Sequence, residues 1–343
     1  MASKLVEDPR IDPRIKAVLG GWPDAANPGD AASRDELLAE LETPQAKARQ
    51  AAMQPFMEAM DNEIVAPSAG LVTRTERFQS APDVWINIRF IRPDNAERPA
   101  CVYYIHGGGM TSMSAFDGMY RAWGRIIARE GVAVAMVDFR NALSPSSAPQ
   151  VAPFPAGLDD CVSGLKWVRA HADALGIDPA RIVVAGESGG GNLTLATGLK
   201  LKRDGDLGLV KGLYALCPYI AGEWPQARHP SSTENNGILL DLHNNRGAMA
   251  YGIEELKRRN PLAWPGFASV EDVAGLPPTV ISVNECDPLR DEGIEFYRLL
   301  LRAGVAARCR QVMGTIHGTE VFSICCPDIS RDTASDLANF ARR

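Results

Sequence analysis

The stretch "RIVVAGESGGGN", residues 181–192, joins a β-strand pattern to an unusual concentration of glycine. The apolar run from Ile182 to Ala185 is typical of a short, fully buried strand. From Leu193 onward, apolar residues repeat at helical spacing, so a helix is predicted directly after the glycines. Because glycine loses more conformational freedom on folding than other residues, this cluster favours a tight strand-to-helix turn that contains Ser188.

The rest of the chain, from about residue 70, alternates strand and helix patterns. Two segments rich in β-formers, "GLVTRTERF" and "VWINIRFI", are predicted to pair antiparallel. The strand patterns that follow are "CVYYIH", "VAVAMVDF", "RIVVAG", "GLYALCP", "PPTVISVNE" and "ARCRQVM". This alternation predicts an α/β protein with a mostly parallel central sheet and helices on both faces.

Two segments depart from the alternation. Residues 1–69 are predicted to be helical, and residues 219–270, rich in Trp, Pro, Asn and Gly, are too long for an ordinary connection. We expect residues 70–218 and 271–343 to form the central domain, with the other two segments forming a helical cap above the sheet.

The segment 1–69 carries helix start signals and an apolar stripe. Ser33 with Glu36 fits a capping box, and Thr43 precedes a proline suited to a first helical turn. The stripe is interpreted as core packing, with a lid over a pocket as the alternative, because methionine adapts to varied shapes. Its members are Met53, Phe56, Met57 and Met60.

Composition excludes several classes of protein. The chain has 343 residues, a net charge of −6 and no clustered basic face, so nucleic acid is not an expected partner. The N-terminal stretch lacks the apolar core of a secretory signal, and no run is long enough to span a membrane. Seven scattered cysteines without paired Cys-X-X-Cys spacing argue against structural zinc and favour reduced thiols in a cytoplasm.

Glycine-rich turns after a strand serve either phosphate binding or nucleophilic catalysis. No lysine follows these glycines, which excludes a Walker loop, and a dinucleotide fingerprint fails whether it starts at Gly186 or at Gly189. Residues 186–190 instead match Gly-X-Ser-X-Gly, the pattern that exposes a serine nucleophile above a sheet.

A serine nucleophile needs a base, which in this kind of sheet follows both the serine and an acid along the chain. Of the five histidines, His317 follows Ser188 and the last predicted strand, with glycines nearby for a tight loop. The other histidines precede the serine or lie in the irregular segment: His106, His171, His229 and His243.

The acid is sought in "VNECDPLRDEG", which offers Glu285, Asp287, Asp291 and Glu292. Asp291 and Glu292 suit the first turn of the next helix, where carboxylates complement the dipole. Asp287 is favoured because it stands in the loop above the strand end, although a turn residue before Pro288 is the alternative interpretation. Attack by a serine places negative charge on the carbonyl oxygen of the substrate, which needs hydrogen-bond donors. The backbone N–H groups of the three glycines in "YIHGGGM" are the candidate donors, with a flexible turn as the alternative interpretation.

Together, these motifs resemble the bacterial hormone-sensitive-lipase-like esterases of the α/β-hydrolase fold over about residues 70–343. The motifs are "HGGG" at 106–109, "GESGGGN" at 186–192, "DPLRDEG" at 287–293 and "HG" at 317–318. The resemblance implies a carboxylic ester hydrolase for short to medium acyl chains, with a helical cap. It also implies a catalytic nucleophile, acid and base, here Ser188, Asp287 and His317.

The resemblance further implies an oxyanion hole made by the N–H groups of Gly108, Gly109 and Gly189, with His106 bracing the loop. Glu187 stands where aspartate is common, and a glycine replaces the usual alanine after the serine; both changes keep the charge and the donor. Residues 138–157 are longer than in the family, which is expected to reshape the pocket wall.

Alternatives of other classes remain open. An amidase or lactonase would use the same triad, and a non-catalytic small-molecule receptor would share the fold, as plant gibberellin receptors do without a working base. His317 argues against the receptor. The expected partner is a small-molecule ester, without metal, cofactor, nucleic acid or membrane, and homodimer formation is left open.

Overall fold

The central sheet forms where the chain carries short apolar, β-branched runs. The computed structural model describes residues 3–22 and 24–343, so Met1, Ala2 and Pro23 of the predicted segment 1–69 lie outside the described residues. The strands are β1 (Leu71–Ala81), β2 (Val84–Pro93), β3 (Cys101–Ile105), β4 (Ala133–Val137), β5 (Ile182–Glu187), β6 (Gly212–Leu216), β7 (Thr279–Cys286) and β8 (Ala307–Ile316).

The strand order is β1-β2-β4-β3-β5-β6-β7-β8. Strand β2 pairs antiparallel with both β1 and β4, and the other neighbours pair in parallel. Every residue of β3, β4, β5 and β6 is buried, as expected for parallel strands covered on both faces. The predicted fold class is confirmed, and the carboxyl ends of the parallel strands meet at one edge of the sheet.

Helices cover both faces of this sheet. The α-helices of the described residues, both those on the sheet and those outside its layers, are α1 (Lys4–Glu7), α2 (Pro13–Leu19), α3 (Arg34–Leu41), α4 (Pro44–Ala59), α5 (Gly118–Arg129), α6 (Ala156–Ala170), α7 (Ala172–Leu175), α8 (Gly189–Asp204), α9 (Ser231–Glu234), α10 (Arg246–Tyr251), α11 (Ile253–Lys257), α12 (Val270–Val273), α13 (Arg290–Arg302) and α14 (Pro327–Arg342). Within the described residues, none of these helices combines the length and apolarity needed to cross a bilayer.

Alternation along β3 shows the two layers of the core. Tyr103 and Ile105 face a cluster built with α6 and α8, whereas Val102 and Tyr104 face a cluster built with α5 and α14. Because helices cover both faces of β3, apolar side chains are buried on both faces. The sequence of this strand is therefore a continuous apolar run and does not alternate with polar residues.

The N-terminal helices lie against the segment 219–270. Ala31 and Asn245 form a reciprocal pair, in which the Ala31 N–H donates to Asn245 Oδ1 at 2.8 Å and Asn245 Nδ2 donates to the Ala31 carbonyl at 3.0 Å. Lys4 Nζ donates to the Asn236 carbonyl at 2.8 Å. These contacts connect residues about two hundred positions apart.

The apolar stripe on α4 is only partly buried. Met60, the residue that ends the helix, is fully buried, and Phe56 packs on Trp22 with ring centroids 4.7 Å apart. Met53 is 36% exposed. The stripe is therefore core packing at its C-terminal end and free surface at its start.

Candidate active site

Ser188 lies in a strained turn between β5 and α8. Its backbone has φ 57° and ψ −119°, a left-handed conformation that costs roughly 1–3 kcal/mol for a residue with a side chain. A Cβ on Gly186 would lie 2.5 Å from the Gly190 carbonyl oxygen, and one on Gly190 would lie 2.0 Å from the Ile105 carbonyl oxygen. The Gly-X-Ser-X-Gly spacing therefore reflects close backbone approach on both sides of the serine.

The structure brings the side chains of Ser188, His317 and Asp287 into one chain of hydrogen bonds. Asp287 follows β7 directly and His317 follows β8, so both stand at the ends of neighbouring parallel strands. Ser188 Oγ lies 2.9 Å from His317 Nε2, and His317 Nδ1 lies 2.8 Å from Asp287 Oδ2. Such a chain can move the serine proton to an imidazole whose other nitrogen is held by a carboxylate.

Among the four acidic residues of the predicted segment, Asp287 is the one at His317. Its Oδ1 accepts a backbone N–H two residues further on, at 2.9 Å, which leaves Oδ2 for the histidine. Glu285 accepts from a backbone N–H of β8, and Asp291 accepts from a backbone N–H of the segment 219–270, each at 2.7 Å. Asp291 stands in the first turn of α13, where it was expected.

Burial and charge act in opposite directions on the two histidines near the turn. Burial by itself lowers the pKa of His317, but the Asp287 carboxylate raises it, and the net shift is well above the ordinary value. Burial lowers the pKa of His106. That ring stacks on Phe139 at 4.3 Å, and its Nε2 lies 3.6 Å from Asp138 Oδ1. Its Nδ1 lies 3.0 Å from the Gly107 carbonyl oxygen, so the ring also contacts the loop after β3.

The glycine loop after β3 has a left-handed backbone, which favours glycine. Gly108 has φ 87° and Gly109 has φ 61°, and the Gly108 carbonyl accepts two N–H groups of the same loop, at 3.0 and 3.2 Å. A Cβ on Gly189 would lie 2.8 Å from Gly109 N. The N–H groups of this loop and of the first turn of α8 therefore lie close together beside Ser188.

A buried carboxylate joins the glycine loop to the serine turn, and sequence reasoning missed its partners. Glu187 accepts hydrogen bonds from the hydroxyls of Tyr104, at 2.7 Å, and Tyr120, at 2.5 Å. The Gly107 N–H donates to Tyr120 Oη at 2.8 Å. Burial raises the pKa of Glu187 to about 7, although the two hydroxyls oppose the shift.

Glu292 does more than complement the dipole of α13. Its carboxylate accepts from the N–H groups of Ile220, at 2.7 Å, and Ala221, at 3.0 Å, and from Trp224 Nε1 at 2.6 Å. It is 3% exposed, and burial raises its pKa to about 8. Glu292 therefore anchors the start of the segment 219–270 to the sheet layer.

A cysteine to which the sequence analysis assigned no role lies beside the same histidine. Cys217 directly follows β6, and its Sγ lies within 4.8 Å of a carboxylate oxygen of Asp287 and a ring nitrogen of His317. Burial raises the pKa of Cys217 to about 11, so its thiol keeps its proton at neutral pH and is a poor nucleophile. Within the described residues, these three side chains form the one His/Cys/Asp/Glu group suited to a metal ion.

Comparison with known proteins identifies the family of this chain. Residues 102–321 match a family model described as alpha/beta hydrolase fold. The solved structure of esterase Est22 is 65% identical, covers 99% of this chain and 100% of that chain, and superposes with a TM-score of 0.97. Further solved structures are those of its S188A mutant and of Est22 with p-nitrophenol.

More distant relatives are also esterases. Brefeldin A esterase, described as a bacterial homologue of human hormone-sensitive lipase, is 35% identical over 98% of this chain and 94% of that chain, with a TM-score of 0.88. Carboxylesterase NlhH of Mycobacterium tuberculosis is 30% identical over 347 residues, which cover 100% of this chain and 99% of the relative. The chain therefore belongs to the α/β-hydrolase family and is a carboxylic ester hydrolase of the bacterial hormone-sensitive-lipase-like group.

Proposed function

We propose that Ser188, His317 and Asp287 form the catalytic triad of this ester hydrolase. The observation that carries the proposal is the unbroken chain of hydrogen bonds, at 2.9 and 2.8 Å, that starts at a serine in a strained turn. Ser188 Oγ attacks the ester carbonyl while His317 Nε2 accepts its proton. Asp287 holds the Nδ1–H group and stabilises the imidazolium that forms.

The backbone N–H groups of Gly108, Gly109 and Gly189 stabilise the negative oxygen of the tetrahedral intermediate. The left-handed glycines and the close approach of Gly109 N to the start of α8 support this role. N–H groups in the first turn of a helix have no partner within it and carry the positive end of its dipole. Loss of one such donor costs roughly 100- to 1000-fold in turnover.

The reaction then closes with the same groups. The His317 imidazolium gives its proton to the alcohol oxygen, which leaves as the acyl–Ser188 ester forms. His317 next takes a proton from water, the resulting hydroxide attacks the acyl carbon, and the acid departs as Ser188 regains its proton.

Short to medium acyl esters are the proposed substrates, with residues 1–69 and 219–270 as the cap that bounds the pocket. The Tyr219 N–H donates to the Ser188 carbonyl at 3.1 Å, so this residue adjoins the nucleophile. Its ring stacks on Trp224, with centroids 4.6 Å apart, and meets Trp264 edge-on at 5.6 Å. Bulky aromatic rings packed around a residue next to the nucleophile support a preference for short acyl chains.

Hydrolysis of p-nitrophenyl esters from acetate to palmitate, alongside an anilide and a lactone, tests this proposal. Acetate and butyrate should react fastest, and Ser188→Ala should lower the rate about a million-fold. Ser163→Ala, at a partly exposed position of α6, is the control and should react like wild type.

An organophosphate should label Ser188 stoichiometrically. Labelling of another serine, or near-full activity of Ser188→Ala, would contradict the triad. Faster cleavage of the anilide or the lactone would favour the amidase or lactonase alternative.

A further inference from the structure

Three different metal-ligating side chains meet at the ends of three adjacent strands. Cys217, Asp287 and His317 follow β6, β7 and β8, which are consecutive in the sheet. Their exposed fractions are 1%, 0% and 6%, and their ligand atoms all lie within 4.8 Å of one another. The backbone of Cys217 is in the left-handed region, at φ 33°, and its N–H donates to the Ser282 carbonyl at 2.7 Å, which holds the thiol in place.

This ligand set suits Zn²⁺. Thiolate, imidazole and carboxylate bind zinc at bond lengths of about 2.0–2.3 Å, so tetrahedral ligand atoms lie roughly 3.3–3.6 Å apart. His317 Nδ1 and Asp287 Oδ2, now 2.8 Å apart, would separate by about 0.5 Å, and side-chain movements of about 1 Å would bring Cys217 Sγ to that spacing from the 4.8 Å limit. Mg²⁺ and Ca²⁺ prefer all-oxygen sites and fit a thiolate poorly.

We propose that Cys217, Asp287 and His317 form a Zn²⁺ site that reversibly switches the hydrolase off; the inhibition rests on the proposed role of His317 as the base. A neutral imidazole has one nitrogen lone pair available, because its other nitrogen carries a proton. Zn²⁺ held beside Asp287 takes the lone pair of Nδ1, and the proton that Nδ1 carried moves through solvent to Nε2, so neither nitrogen can then accept the Ser188 proton. The Cys217 S–H bond breaks on binding, its electron pair goes to Zn²⁺ and its proton goes to solvent, without oxidation or reduction.

The first test measures hydrolysis of p-nitrophenyl acetate by the full chain after EDTA treatment, during titration with chelator-buffered Zn²⁺. Wild type should lose at least ten-fold in rate and recover when EDTA is added. Cys217→Ser should need at least about ten-fold more Zn²⁺ for half-inhibition of its own metal-free rate, since even the loss of an outer-shell partner costs 10- to 100-fold in metal affinity.

Two controls isolate the site. Cys309→Ser, at the partly exposed cysteine of β8, should keep wild-type sensitivity to Zn²⁺. Mg²⁺ at the same concentrations should leave the rate unchanged. Equal sensitivity of wild type and Cys217→Ser, or equal inhibition by Mg²⁺, would overturn the proposal.

The second test detects binding without activity. Co²⁺ bound to a thiolate shows charge-transfer absorption in the near ultraviolet, so Ser188→Ala should develop this band with one Co²⁺ per chain. The double variant Ser188→Ala/Cys217→Ser should lack it. Absence of the band in Ser188→Ala overturns the site even if the cysteine variants do not fold.

The two tests also separate this site from the proposed triad. Metal binding at Cys217 without inhibition would overturn the switch and count against His317 as the base. A normal Co²⁺ band in a Ser188→Ala variant that keeps full activity would support the site while contradicting the proposed nucleophile.

Discussion

At the scale of single residues, position decides what a side chain does. Asp287 and Asp291 lie within one short segment, yet Asp287 is fully buried at His317. Asp291 pairs instead with Arg290, at 2.8 Å, in the first turn of α13. Two identical side chains therefore face different partners, and exchanging either for its amide separates their roles.

Asp287→Asn should lower kcat/KM on a p-nitrophenyl ester by about ten-thousand-fold, because an amide favours the wrong imidazole tautomer and leaves the imidazolium unsupported. Asp291→Asn, the matched control, should lose on the order of 1 kcal/mol of unfolding free energy and little activity. Steady-state rates and melting temperatures of both variants check this, and a larger rate loss in Asp291→Asn would reverse the assignment of the acid.

Tyr120→Phe should reduce kcat by about ten-fold, less than the 100-fold or more expected when an oxyanion donor itself is lost. The Tyr120 hydroxyl ties the Gly107 N–H to Glu187, so its removal loosens the glycine loop without touching the substrate. Tyr104→Phe removes the other hydroxyl that donates to Glu187 but keeps the hydrogen bond between the Gly107 N–H and Tyr120. It should therefore lower kcat by less, at a similar melting temperature. Equal losses of kcat in the two variants would contradict this role of Tyr120.

At the scale of elements, α13 anchors the segment 219–270 through Glu292. Glu292→Ala should cost about 3–5 kcal/mol of unfolding free energy, since each buried donor left unpaired costs roughly 1–3 kcal/mol. Glu254→Ala, on α11 of the same segment, removes a 62%-exposed carboxylate that pairs with Lys257 and should leave the unfolding free energy close to the wild-type value. Urea unfolding measures both changes, and protease cleavage within 219–270 should accelerate only in Glu292→Ala.

The helix α4 is held at its C-terminal end, where Arg121 contacts Glu58 at 2.6 Å and Asp61 at 2.5 Å. We expect the half-buried Met57 to influence acyl selection, so that Met57→Ala changes the octanoate-to-acetate rate ratio more than the acetate rate. Met53→Ala, on the exposed part of the same stripe, should leave that ratio near wild type.

Unchanged ratios in both methionine variants would place the acyl pocket elsewhere. Trp224→Ala is a less direct test of acyl selection by the proposed cap. This indole is 8% exposed and bonded to Glu292, so its loss would lower stability as well as change selectivity.

At the scale of the whole molecule, buried carboxylates make stability depend on pH. The pKa of Glu187 rises from 4.5 to about 7 and that of Glu292 to about 8, both through burial. Between about pH 4.5 and 8 the unfolded chain therefore binds fewer protons at these groups than the folded chain does, and their contribution to the unfolding free energy falls as pH rises.

Wild type should accordingly lose unfolding free energy relative to Glu292→Gln between pH 5 and pH 8. Urea titrations of both proteins across this window measure the difference, and Glu254→Gln, at an exposed carboxylate, should keep the wild-type slope. A wild-type protein that gains stability relative to Glu292→Gln as pH rises would show that Glu292 is ionised throughout.

The sequence by itself determined the elements and their order, because strand and helix periodicity is local. It predicted the strand-to-helix turn at Ser188, because the glycines there are required by backbone atoms that approach within a few ångströms. His317 was predicted from its order along the chain, and Asp287 because the neighbouring carboxylates suit the first turn of a helix. In the structure His317 lies within hydrogen-bond distance of both Ser188 and Asp287.

Only the tertiary structure decided which buried groups share partners. Glu187 meets tyrosines 67 and 83 residues away, and Glu292 anchors backbone about 70 residues before it. Cys217 reaches His317 because β6, β7 and β8 are adjacent in the sheet. The order of strands in the sheet arises from the packing of whole strands and helices. The periodicity of a single segment does not contain this information, so these contacts could not be predicted from the sequence one segment at a time.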